Sequence, residues 1–158
     1  MPDSDQYIDT SGLDRIEQSF RKWVNASSRA DVRLARRRIL LIFLLIRYTG
    51  AKLNEVLDLH PFHDIDHKRQ SVFFRNAVGI GQGAREVQIS KALSLEIRSL
   101  LDDPDFQASI RNTLSIDPAF VRRKFYERAE ACGLSKRLGG PEMIRKARGI
   151  ELTSAKKI

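Results

Sequence analysis

Side chains able to hold phosphate come in short groups along this chain. Lys52 follows the helix-ending pair Thr49-Gly50. Arg122, Arg123 and Lys124 follow one another just behind Asp117-Pro118. Arg145, Lys146 and Arg148 cluster further on. Each is a cation that can replace the counterions condensed on a polyphosphate backbone. Gln82 and Arg85 lie in and just after a glycine-rich turn, and an amide such as Gln82 can also pair with the edge of adenine. Other chemistries read more weakly. His60, His63 and His67 straddle Pro61 and a predicted strand, and no cysteine joins them, so no metal site is expected. Gly79, Gly81 and Gly83 fall in a predicted hairpin rather than between a strand and a helix, so they do not form a nucleotide cradle. No cofactor is expected.

The charge balance points the same way. The chain has 28 Lys and Arg against 20 Asp and Glu, a formal +8. Asp3, Asp5, Asp9, Asp14 and Glu17 concentrate acid at the start, beside Arg15 alone, so the rest stands at about +12. That imbalance fits a partner with a polyphosphate backbone. An anionic membrane surface is the competing reading, but no basic amphipathic anchor stands alone at a terminus. At 42% hydrophobic residues, a packed core is expected rather than disorder. The apolar run from Ile39 to Ile46 is far short of the roughly 20 residues that span a bilayer, so it reads as a core helix and no membrane association is expected. The polar, acidic start does not read as a signal peptide. A single Cys132 allows no internal disulfide and fits a reducing compartment, the cytoplasm. It reads as a small buried residue at a helix end.

Apolar spacing predicts a helix over residues 13–24. Ser28 and Asp31 read as a capping box opening a long helix over 29–48, basic at first and then apolar all round, ended by Gly50. Arg36, Arg37 and Arg38 cover nearly a full turn, so they cannot all face one partner. A short helix follows over 52–59, stopped by Pro61. Period-two patterns over 62–65, 71–74 and 85–89 predict three strands. A helix is predicted over 94–101, broken at Asp102-Asp103-Pro104, and residues 105–116 stay ambiguous. Asp117-Pro118 is a strong helix start for a helix to Cys132, ended by Gly133. A last helix runs from Pro141 to about Ala147. The fold class is thus mainly α with a small antiparallel β-sheet (α+β). Residues 1–27 form an N-terminal segment and first helix, 28–150 the main domain, and 151–158 a basic tail that reads as a linker.

The stretch Thr49-Gly50-Ala51-Lys52-Leu53-Asn54-Glu55-Val56-Leu57-Asp58-Leu59 resembles the first active-site box of the tyrosine recombinases, or phage integrases. Pro141-Glu142-Met143-Ile144-Arg145-Lys146 is similar in spacing to their second box, and Gly81-Gln82-Gly83 to their Gly-Lys-Gly turn. The likeness covers about residues 30–150 and implies the recombinase catalytic-core fold. The site departs from the family. Lys52 stands where the first catalytic arginine is expected, Gln82 where the lysine is, and Glu142 and Lys146 where histidines are. Arg145 alone is kept. A carboxylate at 142 repels phosphate unless something pairs with it. Tyr7, Tyr48 and Tyr126 all lie upstream of the second box, and none follows it in these 158 residues. Strand cleavage by this family needs a tyrosine nucleophile, two arginines and a proton-moving group. No catalytic residue is therefore expected, and Glu55 reads as structural, holding nearby basic groups.

The resemblance then implies an inactive integrase-like domain kept for sequence-specific binding of duplex DNA in transcription regulation. It is similar to the N-terminal domain of tungstate- and molybdate-responsive bacterial regulators. That likeness implies a homodimer and a C-terminal oxyanion-sensing domain in a longer parent chain. The DNA-binding residues expected are Lys52, Gln82, Arg85, Arg122, Arg123, Lys124, Arg145, Lys146 and Arg148. Two alternatives stay open: a site-specific recombinase, active by itself or completed by another chain's tyrosine, and an accessory protein of a recombinase in DNA recombination.

Overall fold

The computed structural model describes residues 7–75 and 84–157. The chain divides into two compact units, Met1–Leu53 with Ile116–Ile158, and Asn54–Ser115.

In the first unit, α1 (Thr10–Asn25) starts where the Asp9 carboxylate accepts the Gly12 N–H. Leu13, Ile16, Phe20 and Val24 make its buried stripe. The long helix α2 (Ala30–Thr49) is not opened by the predicted Ser28–Asp31 box. Arg29 occupies the N-cap without capping by its side chain. The Asp31 carboxylate, needed to close such a box, is held instead by the Arg29 guanidinium at 2.8 Å. The other end is as expected: Gly50 takes the left-handed conformation (φ 72°) and donates its N–H to the Ile46 carbonyl.

Helix α7 (Pro118–Ala131) starts on Asp117, which accepts the Ala119 N–H. Gly133 (φ +84°) follows its end, and a 3-10 turn over Lys136–Gly139 leads to α8 (Pro141–Lys157). That last helix runs well past the Ala147 end expected from the sequence. It crosses Gly149, a residue that raises the cost of a helix by only about 1 kcal/mol. Residues 151–157 continue it.

Phe20 of α1, Phe43 of α2 and Phe125 of α7 meet at the centre of this unit. Their ring centroids are 4.7 Å (Phe20–Phe43), 5.4 Å (Phe20–Phe125) and 5.9 Å (Phe43–Phe125) apart, and all three are fully buried. The 3-10 turn lies hard against α7. A Cβ on Gly139 would come within 2.6 Å of the Phe125 carbonyl oxygen and 2.7 Å of Ala129 Cβ. Backbone cannot yield as a flexible side chain does. Gly139→Ala is therefore expected to destabilise the protein by about 3 kcal/mol, seen as a lower urea midpoint at unchanged slope.

In the second unit, α3 (Leu53–Leu57) is followed by α4 (Pro61–Asp64), a single helical turn where a strand over 62–65 was expected. Pro61 supplies the fixed φ of a first helical position. The Asp64 carboxylate reaches back to the His60 N–H at 2.9 Å and closes the turn. Only Ile65–Asp66 remains as β1. It pairs antiparallel with β2 (Ser71–Phe74), which pairs antiparallel with β3 (Arg85–Gln88), in the order β1-β2-β3. Val72 faces Val87 and Phe74 faces Arg85 across the second pairing.

Helix α5 (Lys91–Leu101) begins three residues ahead of its predicted start, because the Ser90 hydroxyl caps the Leu93 N–H. The ambiguous stretch holds one short helix, α6 (Pro104–Ile110), capped by Asp103. The fold is thus mostly helical with a small antiparallel sheet, as the sequence led us to expect. No described helix is long and apolar enough to cross a membrane.

Candidate nucleic-acid interface

The two units differ sharply in charge. The first carries 21 Lys and Arg against 11 Asp and Glu, a formal +10; the second carries 7 against 9, a formal −2. The whole positive excess lies on the first unit, which holds Lys52 and residues 141–146. Helices α2 and α8 pack together there. Where α2 ends, the left-handed Gly50 lies beside α8: a Cβ on it would sit 3.5 Å from Arg148 Cγ, an ordinary packing distance. The turn leading to Lys52 therefore lies against the helix carrying Arg145, Lys146 and Arg148. Ninety-odd residues separate these groups in sequence, and one helix packing joins them.

Most of these cations already have partners. The Arg145 guanidinium donates to the Glu142 carboxylate at 2.9 Å. Arg148 lies 3.5 Å from Glu151, which also accepts the Thr10 hydroxyl at 2.7 Å. Nε of Arg145 and of Arg148 is buried without a hydrogen-bond partner. Lys52 is half-buried and Lys146 is exposed. Glu142, the residue that repels phosphate unless paired, is thus paired within its own helix, at the expense of Arg145. Glu142→Gln is expected to raise affinity for duplex DNA about fivefold, by freeing one cation and removing one repulsive charge. Folding stability should move by less than about 0.5 kcal/mol, because the pair is exposed. Fluorescence anisotropy and a thermal melt check the two parts.

Arg122, Arg123 and Lys124 occupy the start of α7. Arg122 and Arg123 are exposed. The Arg123 guanidinium and the Lys124 ammonium lie 5.6 Å and 5.3 Å from the Phe120 ring centroid, and Lys124 also pairs with Glu127 at 3.3 Å. Arg85 is more deeply committed. Its guanidinium is taken by both oxygens of Glu55, whose side chain is only 3% exposed, and it lies 4.9 Å over the Phe74 ring. Glu55 thus holds a basic group, as expected of a structural carboxylate. Gln82, with Gly79, Gly81 and Gly83, lies outside the described residues.

Among the described residues, sequence reasoning missed the most deeply buried cation. Arg47 directly follows the apolar run of α2, with its side chain 5% exposed. It donates to Asp14 at 2.6 Å and to Glu17 at 2.9 Å, both on α1. Burial alone would lower its pKa, but the hydrogen bond to Asp14 and the charges of Tyr48, Glu17 and Asp14 outweigh that and raise it. Tyr48 donates to the same Glu17 at 2.8 Å. Burial first, and then that hydrogen bond, push the phenol up to about 12. The signal was available, since a buried arginine demands a partner and Asp14 and Glu17 are spaced to share one helix face. The pair Arg75–Asp64 in the second unit was missed in the same way.

Cys132 is half-buried rather than buried, with its thiol on the Ala129 carbonyl; the helix ends at the surface there. His60 and His63 have ring centroids 6.1 Å apart. Among the described residues no group of His, Cys, Asp and Glu is placed to hold a metal ion.

No family model matches this chain, and no curated protein matches it. A solved structure does: the crystal structure of XerA recombinase, with a TM-score of 0.70 at 17% sequence identity. The match covers 93% of this chain and 50% of that one. The chain therefore has an integrase-like fold, that of a recombinase, and spans about half the length of the recombinase it matches.

Proposed function

We propose that this chain is a sequence-specific duplex-DNA-binding module of a transcription regulator, built on an integrase-like fold that has lost strand cleavage. The observation that carries the reading is the concentration of charge. A formal +10 lies on one unit, where α2 packs on α8 and the Gly50 turn, two residues before Lys52, lies beside Arg148. Such an arrangement holds phosphate. It lacks the means to break a phosphodiester. Lys52 keeps a charge but not a bidentate fork, and Glu142 and Lys146 replace the family's histidines. Of the three tyrosines in these 158 residues, Tyr48 is tied to Glu17 and held neutral, and Tyr126 lies 5.8 Å from the Lys136 ammonium. Tyr7 is exposed, and all three precede residues 141–146, whereas the family's nucleophile follows its second box. Backbone contacts set affinity and register, and a few base-edge contacts set sequence. The regulator reading further places the module in the cytoplasm, as a homodimer on a repeated half-site. An oxyanion-sensing domain would follow it in a longer parent chain.

With about six phosphates neutralised, the logarithm of the binding constant should fall against the logarithm of salt concentration with a slope near −5. A slope near zero would sink the proposal. The same DNA, nicked at the bound site, tests the competing recombinase. A covalent protein–DNA adduct would establish cleavage and remove the inactive reading.

A further inference from the structure

A second cationic site lies away from the α2–α8 contact, in a groove of about 690 Å³ between α1 and the end of α7. Its walls include Trp23, Arg15, Lys22 and Arg128. Two guanidiniums converge on the Trp23 indole, Arg36 at 5.0 Å and Arg128 at 4.9 Å from its centroid. Like charges do not gather on one ring without cost, and among the described residues no carboxylate pairs with Arg128. Its Nε is buried and makes no hydrogen bond. Among the described residues Asp14 is the only carboxylate lining the groove, and it is taken by Arg47 at 2.6 Å. Glu127, whose charge acts on Arg128, pairs with Lys124. Arg15 donates to the Cys132 carbonyl at the groove's end, and Lys22 is exposed.

We propose that this groove is an anion site that takes a phosphate group between Arg128 and Lys22 at the edge of Trp23. A tetrahedral anion supplies the acceptors that the Arg128 guanidinium lacks and cancels the repulsion between Arg36 and Arg128. Burial lowers the Arg128 pKa, against the pull of Glu127 and with the charge of Arg36 adding to it. A bound anion relieves both unfavourable effects. The indole contributes through its guanidinium contacts rather than by stacking on the ligand. From Arg36 to Thr49 is 13 residues of α2, or about 20 Å, so this site is distinct from the one near Lys52. It does not rest on the DNA-binding reading. The phosphate comes either from a nucleic-acid backbone or from a free phosphate ion.

Trp23 is the chain's single tryptophan and reports directly on the groove. The experiment titrates sodium phosphate into the intact chain and follows Trp23 emission, with sodium chloride at equal ionic strength as the reference. A saturable change at millimolar phosphate, absent with chloride, is the expected result. Arg128→Gln should weaken it at least tenfold. Lys22→Gln, at an exposed position that cannot disturb folding, should weaken it about threefold. Lys52→Ala with Arg145→Ala should leave it unchanged, which separates this site from the DNA-binding one. Prior saturation with a short duplex tells the sources apart. Loss of the phosphate response assigns the site to backbone phosphate, and an unaltered response assigns it to the free ion. A chloride-matched signal, equal responses in wild type and both groove variants, or a response to polyglutamate but not to phosphate would each overturn the proposal.

Discussion

Replacing Lys52 and Arg145 together by alanine is expected to lower affinity for duplex DNA about 100-fold at 150 mM salt and to flatten the salt slope from near −5 to near −3. Each cation lost from a phosphate contact removes about 0.9 from the slope. The two side chains lie on segments packed against each other in one charged unit, so their losses fall on the same stretch of backbone. Phosphate contacts carry no sequence information. The loss should therefore be the same for a selected site and for random duplex. Folding is not the cause in this scheme: Lys52 and Arg145 are both partly exposed, and the thermal midpoint should stay within a few degrees. Anisotropy titrations at four salt concentrations would measure both quantities. A loss confined to one DNA sequence would show that these residues read bases instead. An unchanged slope would place the binding surface elsewhere on the unit.

Arg47→Ala is expected to cost about 3 kcal/mol of folding stability, the low end for breaking a buried ion pair by removing one partner. The reason for the low end is visible. Asp14 is largely exposed and can return to water. Glu17 keeps Arg21 at 3.0 Å and the Tyr48 hydroxyl at 2.8 Å. What remains is a cavity in the wall between α1 and α2, and a carboxylate with one charge fewer beside it. Arg47→Met fills the space and should recover about half the loss. Equilibrium urea unfolding of the three proteins decides the matter. Equal stability of the alanine variant and the wild type would mean that the network orders α1 on α2 without stabilising the fold.

How far the fold was legible depended on whether its cause was local. Asp117-Pro118 opens α7 and Gly50 closes α2 because capping and left-handed turns are set within a few residues. The strands at Ser71–Phe74 and Arg85–Gln88 followed from alternation. The failures came where one side chain chose between local partners. Asp31 took Arg29 instead of closing a box around Ser28. Asp64 took the His60 N–H and made a helical turn from an alternating segment.

The candidate site divides in the same manner. Composition alone determined that the chain is basic, and only the resemblance to the integrase boxes implied that Lys52 and Arg145 stand at arginine positions and that Glu142 and Gln82 depart from the pattern. Charge and residue order survive any folding. Which cations remain available does not follow from order, because that depends on which carboxylate each one meets. Tertiary packing decided that Glu55 takes Arg85, that Asp14 and Glu17 pair with buried Arg47, and that Arg128 shares Trp23 with Arg36 and, among the described residues, pairs with no acid. Ion pairs form between groups that are distant in sequence and a few ångströms apart in space, and only the packed chain sets those distances.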